Sequence, residues 1–171
     1  MQEILQNCPE AHIKVAGISV LGVNGIKSRI KIPAYGKYLR RLILKNRLEG
    51  KVRVLGNLSA EEMKREYLSA QIFVCPSAVE NSPNSVAEGQ LLGVPVAASR
   101  TGGIPDVVKD GVSGLLFEKG NVHELAACVS RILTDKQLAK ELSASERETA
   151  AKLYNGENNY QKLIEIYQSI E

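Results

Sequence analysis

The sequence predicts an α/β protein built on a parallel sheet covered by helices on both faces. Two observations carry this. Strand-like apolar runs and helix-like periodic segments alternate through the middle of the chain. The length of 171 residues fits one domain, 1–171, with a real core, and no repeat, low-complexity tract or linker divides it.

The elements follow in order. Residues 2–8 read as the tail of a helix stopped by Pro9, and His12–Ala16 alternates like a strand before Gly17. Asn24-Gly25 is a hairpin turn signal, with Ile26, Ser28, Ile30 and Ile32 alternating against Lys27, Arg29 and Lys31. Tyr35, Tyr38, Leu39, Leu42 and Ile43 keep helical spacing from Tyr35 to Leu48, with Gly50 in the C-cap region. Val52–Leu55 is the next strand. Ser59 with Glu62 three residues on is a capping box, opening a helix that runs to about Ser69. Strand Ile72–Cys75 leads into a polar loop from Pro76 to Pro83, and a helix spans 84–92 with an Asn or Ser at its start as the cap. Val94–Ala98 is a strand, Pro105 opens a short helix ending near Gly111, and Gly114–Phe117 is a further strand. Helices over Val122–Leu133, 135–153 and 157–170 complete the chain.

Composition narrows the function classes. Apolar content of 44% and charged content of 24% are those of an ordinary soluble globular protein. No run reaches the roughly 18 apolar residues of a membrane span, and the first residues lack the features of a signal peptide. Cys8, Cys75 and Cys128 are odd in number, widely spaced and flanked by apolar residues, which predicts reduced interior thiols and a cytoplasmic location. The net charge of +3 hides an asymmetry: residues 1–65 carry 13 Lys/Arg against 5 Asp/Glu, whereas 66–171 carry 9 against 14. Ten basic residues lie between Lys27 and Arg53 with the single acid Glu49. They form either a solvated helix face or a face toward anionic lipid or a phosphate-bearing acceptor, placing the protein at the inner face of the membrane. No aromatic stacking pattern accompanies the charge, which argues against nucleic acid.

The candidate chemistry sits in FVCPSAVENSPNSVAEGQLL, residues 73–92. Glu80 falls in the loop at the C-terminal end of a strand, and Glu88 about one turn into the following helix. Ligands of an open parallel sheet lie in the crevice outside those strand ends. The helix start favours an anion by typically about 0.3–1 kcal/mol, while two carboxylates accept hydroxyl hydrogen bonds of roughly 1.5–3 kcal/mol each. An anion cradle between two hydroxyl acceptors describes a sugar–phosphate ligand. Gly102-Gly103 supplies a loop in which backbone can approach a ligand or a neighbouring strand, or simply a turn with unusual dihedrals.

Other patterns fail on inspection. Gly17–Gly22 has phosphate-loop spacing, but Val23 stands where Lys is required. There is no Gly-x-Gly-x-x-Gly, and Gly111–Gly114 lacks the nucleophile-elbow spacing. His12 and His123 are far apart and no Cys/His cluster has metal spacing. The only aspartates are Asp106, Asp110 and Asp135, so no Asp-x-Asp pair exists, and the expectation is a reaction with no metal and no cofactor.

The run ENSPNSVAE followed by GVPVAASRTGGIPDVVKDGVSGLLFEKGN resembles the C-terminal, donor-binding half of family 4 retaining glycosyltransferases of the GT-B architecture. The similarity is strong from about Val52 to Val129 and weaker to a last helix ending in Ile166-Tyr167. It implies a Rossmann-like domain lacking its first strand, with a separate N-terminal domain as partner and a nucleotide-diphosphate sugar as donor substrate. The family's loop bearing an Arg and a Lys for the donor phosphates has no counterpart by motif, so the chain alone is expected to bind donor weakly and transfer nothing. By resemblance, Glu80 contacts donor-sugar hydroxyls and opposes positive charge at the anomeric carbon. Glu88 takes the ribose hydroxyls, and Gly56 and Asn57 mark the place that holds the base. Asn81, Ser82, Asn84, Ser85 and Val86 present backbone N–H groups to the sugar and diphosphate. Many family members carry glycines in this bridge, whereas here Pro83 has no N–H to give. Asn84 tolerates left-handed geometry, and the side chains of Asn81, Ser82, Asn84 and Ser85 replace some contacts. The implied context is bacterial surface or capsular polysaccharide synthesis. Two alternatives stay open: a non-catalytic sugar-nucleotide-binding subunit that pairs with a separate N-terminal half, and a GT-B-like sugar-nucleotide epimerase.

Overall fold

Two parallel ladders organise the chain in the computed structural model, which describes residues 1–17 and 34–170. The hairpin expected at Asn24-Gly25, most of the Gly17–Gly22 run and the basic residues Lys27, Arg29 and Lys31 lie outside the described residues. The chain divides into two compact units, Met1–Glu66 and Tyr67–Glu171.

In the first unit, β1 (Ile13–Ala16) pairs in parallel with β2 (Val52–Gly56), Ile13 opposite Val52. The register shifts between Val15 and Ala16, and the Gly17 N–H then bonds the Gly56 carbonyl at 2.8 Å. Helices α1 (Gln2–Asn7) and α2 (Ala34–Lys45) accompany this ladder. The α2 helix stops earlier than its apolar periodicity suggests. Arg47, at φ +54°, takes the left-handed turn expected near Gly50, and the Leu48 N–H bonds back to the Ile43 carbonyl at 2.9 Å. The capping box opens α3 (Ala60–Ser69): the Glu62 N–H donates to Ser59 Oγ at 3.3 Å and the Ser59 N–H to Glu62 Oε2 at 2.8 Å. Those bonds to Ser59 hold the Glu62 carboxyl below the usual range.

The second unit is built on β3 (Phe73–Cys75), β4 (Val96–Arg100) and β5 (Leu115–Glu118), in the order β3-β4-β5 and all parallel. Successive strand residues point to opposite faces, and Val96 to Ser99 are all buried, so both faces of the central strand are covered. On one face Cys75, Val96, Ala98 and Leu116 pack with Val86 of α4 (Asn84–Leu92) and with Ile104 and Val108 around α5 (Ile104–Val107). Ala97, Leu115 and Phe117 supply the other face, where α6 (Val122–Thr134) lies along β4 and β5. Fully burying Val86 and Ile104 stabilises the unit by roughly 1.5–3 kcal/mol each. Asn121 caps α6 and Asp135 caps α7 (Lys136–Leu153), which packs against α4 and α6. Asn155 caps α8 (Gly156–Gln168).

Pairing in β4 begins at Val96 rather than Val94. Pro95 has no N–H for a ladder, and its carbonyl instead accepts from the Phe73 N–H at 2.8 Å.

Candidate functional site

Parallel strands β3 and β4 lie side by side, so the loops that follow them emerge at the same end of the sheet. The first is the polar segment 76–83 with Glu80, and the second is Thr101-Gly102-Gly103. Four contacts lock them together. Ser99 Oγ, on the buried end of β4, donates to the Ser77 carbonyl at 2.6 Å, and Thr101 Oγ1 donates to the Ala78 carbonyl at 3.2 Å. A Cβ on Gly102 would stand 1.6 Å from the Glu80 carbonyl oxygen, and one on Gly103 would stand 2.0 Å from that of Asn81. The two backbones therefore touch where any side chain would keep them apart. Gly102 also has φ +52°, so both readings of the glycine pair apply, the close approach and the unusual dihedral.

The Glu80 side chain is part-buried, and its Oε1 accepts from Ser77 Oγ at 2.8 Å. Ser77 in turn takes the Cys75 thiol at 3.7 Å. The carboxylate is thus tied on one oxygen to its own loop. Asn81, Ser82 and Asn84 are exposed, Ser85 is half-buried, and Pro83 is buried.

The helix that follows begins where expected, at Asn84, but without the expected cap. Pro83 is the N-cap and no side chain caps the first turn. The Pro83 carbonyl accepts from the Val86 and Ala87 N–H groups at 3.0 and 3.3 Å. Val86 itself is fully buried in the core, so it anchors the helix start there. Glu88, exposed, stands four residues beyond Asn84 and three beyond Ser85, on one helix face with both. The Tyr67 phenol is raised above its usual range by burial first, then by the charge of Glu88 and a hydrogen bond with its carboxylate. The Tyr67 hydroxyl also donates to the Ser85 carbonyl at 2.9 Å.

Glu80, Asn81, Gly102 and Gly103 are thereby brought together, and Asn84, Ser85 and Glu88 share the adjoining helix turn. Gly56, at φ +76°, and the exposed Asn57 close β2 in the first unit. Reading the sequence missed Ser77 and Tyr67. Ser77 was within reach, three residues before Glu80 in a turn-forming loop, whereas Tyr67 had only its place on an apolar helix stripe. Among the described residues, no group of three or more His, Cys, Asp or Glu side chains could hold a metal ion. All three cysteines are free thiols, Cys75 buried and the others part-buried. Among those residues no helix is long and apolar enough to cross a membrane.

Comparison with known proteins decides the family. The profile described as "Glycosyl transferases group 1" matches residues 1–149. The chain belongs to the family of group 1 glycosyl transferases. D-inositol 3-phosphate glycosyltransferase of Corynebacterium urealyticum is 32% identical over 119 residues, which cover 70% of this chain and 28% of that protein. A putative colanic acid biosynthesis glycosyltransferase, WcaL of Salmonella typhimurium, is 28% identical over 171 residues, covering 93% of this chain and 42% of that protein. The chain thus spans less than half the length of these relatives. The fold matches the crystal structure of Anabaena Alr3699/HepE in complex with UDP at a TM-score of 0.80 and 21% identity, over 99% of this chain and 45% of that one. The C-terminal domain of a group 1 glycosyl transferase from Francisella tularensis, LpcC, matches at a TM-score of 0.67 and 15% identity, over 90% of this chain and 92% of that one. This group 1 transferase chain accordingly has the Rossmann-like fold of a GT-B C-terminal half.

Proposed function

We propose that this chain supplies the donor side of a glycosyltransferase that moves a sugar from a nucleotide diphosphate to an acceptor with retention of configuration and without a metal. The observation that carries the reading is Glu80, tied to Ser77 and set against the Gly102-Gly103 backbone beside the start of α4. Three further points support it: the membership in group 1, the UDP in the HepE complex, and the absence of any Asp-x-Asp pair from the sequence.

In this reading the bond from the anomeric carbon to the diphosphate breaks as the acceptor oxygen bonds that carbon on the same face. The Glu80 carboxylate opposes the positive charge that appears there only in the transition state. The first turn of α4 has no side-chain cap, and its Asn84 and Ser85 N–H groups face the departing diphosphate at the positive end of the helix. Glu88 takes the ribose hydroxyls, Asn81 and Ser82 serve the sugar, and Gly56 with Asn57 serves the base. A second GT-B half supplies the acceptor side, so the chain alone binds donor without transferring it. Relatives named for amylovoran and colanic acid biosynthesis support a product in bacterial surface polysaccharide synthesis.

The test is Glu80→Ala in the two-domain enzyme, with transfer followed at saturating donor. The expected fall in kcat is on the order of a hundredfold, typical for loss of one charge-stabilising group. Transfer within threefold of wild type would end the assignment.

A further inference from the structure

Tyr67 lies in the last turn of α3, and its ring and its hydroxyl serve different neighbours. The side chain is 5% exposed, and its ring meets that of Phe73 edge-on, at a centroid distance of 5.3 Å and 63° between planes. Phe73 lies beneath Gly89, where an added Cβ would touch its Cδ1 at 3.5 Å. Packing alone therefore explains an aromatic ring at position 67, and phenylalanine would meet that need.

The hydroxyl does something else. It donates to the Ser85 carbonyl at 2.9 Å, an oxygen that helix geometry already offers to the N–H four residues on. The bond is thus not needed to satisfy the helix. Glu88 stands three residues beyond Ser85 on the same helix face, and its charge bears on the phenol. The bond to Ser85 thereby fixes the hydroxyl beside the helix turn that carries Glu88.

We propose that Tyr67 is a positioning residue for the nucleotide ribose: its hydroxyl spans Ser85 and Glu88 and sets the direction in which the Glu88 carboxylate meets the 2′ and 3′ hydroxyls. This rests on the donor-site reading above, and it assigns a role to a side chain that never touches the ligand itself. Its consequence is selective. Losing the hydroxyl weakens recognition of the ribose hydroxyls and leaves the contacts to base and diphosphate alone.

The experiment measures equilibrium binding of two probes, uridine diphosphate and its 2′,3′-dideoxy analogue, to wild type and Tyr67→Phe at up to millimolar concentration. Wild type is expected to prefer uridine diphosphate by on the order of tenfold, as charge-assisted hydrogen bonds to hydroxyls imply. Tyr67→Phe is expected to shrink that preference to about threefold or less, with binding of the dideoxy analogue within about twofold of wild type. An undiminished preference in Tyr67→Phe overturns the positioning role while leaving the Glu88 assignment standing. Equal weakening of both probes overturns it as well, since that is the mark of a merely structural hydroxyl. No preference in wild type removes Glu88 from the ribose and the inference with it, and binding of neither probe overturns the donor-site reading.

Discussion

Glu146 gives the sharpest prediction about stability. It projects from α7 into the core with no exposure, its Oε1 accepts the Val96 N–H at 2.7 Å, and its Oε2 has no hydrogen-bond partner among the described residues. Burial pushes its carboxyl from 4.5 up to about 8, against the opposing pull of the Val96 hydrogen bond. Folding therefore favours the protonated form. The stability this confers is fully present below pH 4.5 and is lost as pH rises toward 8, because the unfolded chain ionises first. At about 1.4 kcal/mol per unit, the loss between pH 5 and pH 8 is roughly 3–4 kcal/mol. Glu146→Gln keeps an acceptor for the Val96 N–H and cannot ionise. Chemical denaturation should then place the variant within about 1 kcal/mol of wild type at pH 5, since the amide replaces a neutral carboxyl of the same shape. At pH 8 the variant should be the more stable by about 3 kcal/mol, or roughly 6–12 °C in Tm for a chain of this size. A variant whose advantage is the same at both pH values, or which is the less stable at pH 8, would refute the reasoning.

Two further outcomes follow from the geometry. Gly102→Ala puts a methyl group 1.6 Å from the Glu80 carbonyl oxygen at φ +52°, so the Glu80 loop has to retreat. Donor binding should fall at least tenfold while Tm drops by only a few degrees, on the order of 1–3 kcal/mol of local strain; unchanged affinity by calorimetry would show the loop contact to be idle. On α2, Lys37, Arg40, Arg41 and Lys45 are exposed beside the stacked pair Tyr35 and Tyr38, a face suited to anionic lipid. Arg40→Glu with Arg41→Glu should reduce sedimentation with phosphatidylglycerol vesicles at least tenfold, given about 1 kcal/mol per basic residue near the surface; equal sedimentation of both proteins would assign the charge to solvent.

Local chemistry was legible in the sequence wherever neighbours along the chain decide the outcome. The Ser59–Glu62 capping box forms, and α4 runs from Asn84 to Leu92 as its flanking Pro83 and Gly93 suggest. The errors have physical causes. Val94 reads as a strand start because it is apolar, but the ladder waits until Pro95 is passed. Ser99 and Arg100 read as loop because they are polar, yet Ser99 bonds the neighbouring loop and Arg100 pairs with Glu118 across the β4–β5 ladder at 3.0 Å. At the site, Glu80, Glu88 and the Gly-Gly pair stood out by residue type. Their supports did not. Tyr67 meets Ser85 across 18 positions and Glu146 meets Val96 across 50, and no local pattern encodes such pairings.

The hydroxyl clamps of Ser99 and Thr101 have a consequence for how a substrate is met. With the Ser77 and Ala78 carbonyls bonded by Ser99 and Thr101, and Glu80 and Asn81 packed against the glycine backbone, the chain's own contacts define the loop's shape. A ligand gives up little affinity to order it. On the donor-site reading proposed above, selectivity among sugars resides in the groups the loop displays, and exchanging Asn81, Ser82 or Asn84 offers a route to new donors on an unchanged frame.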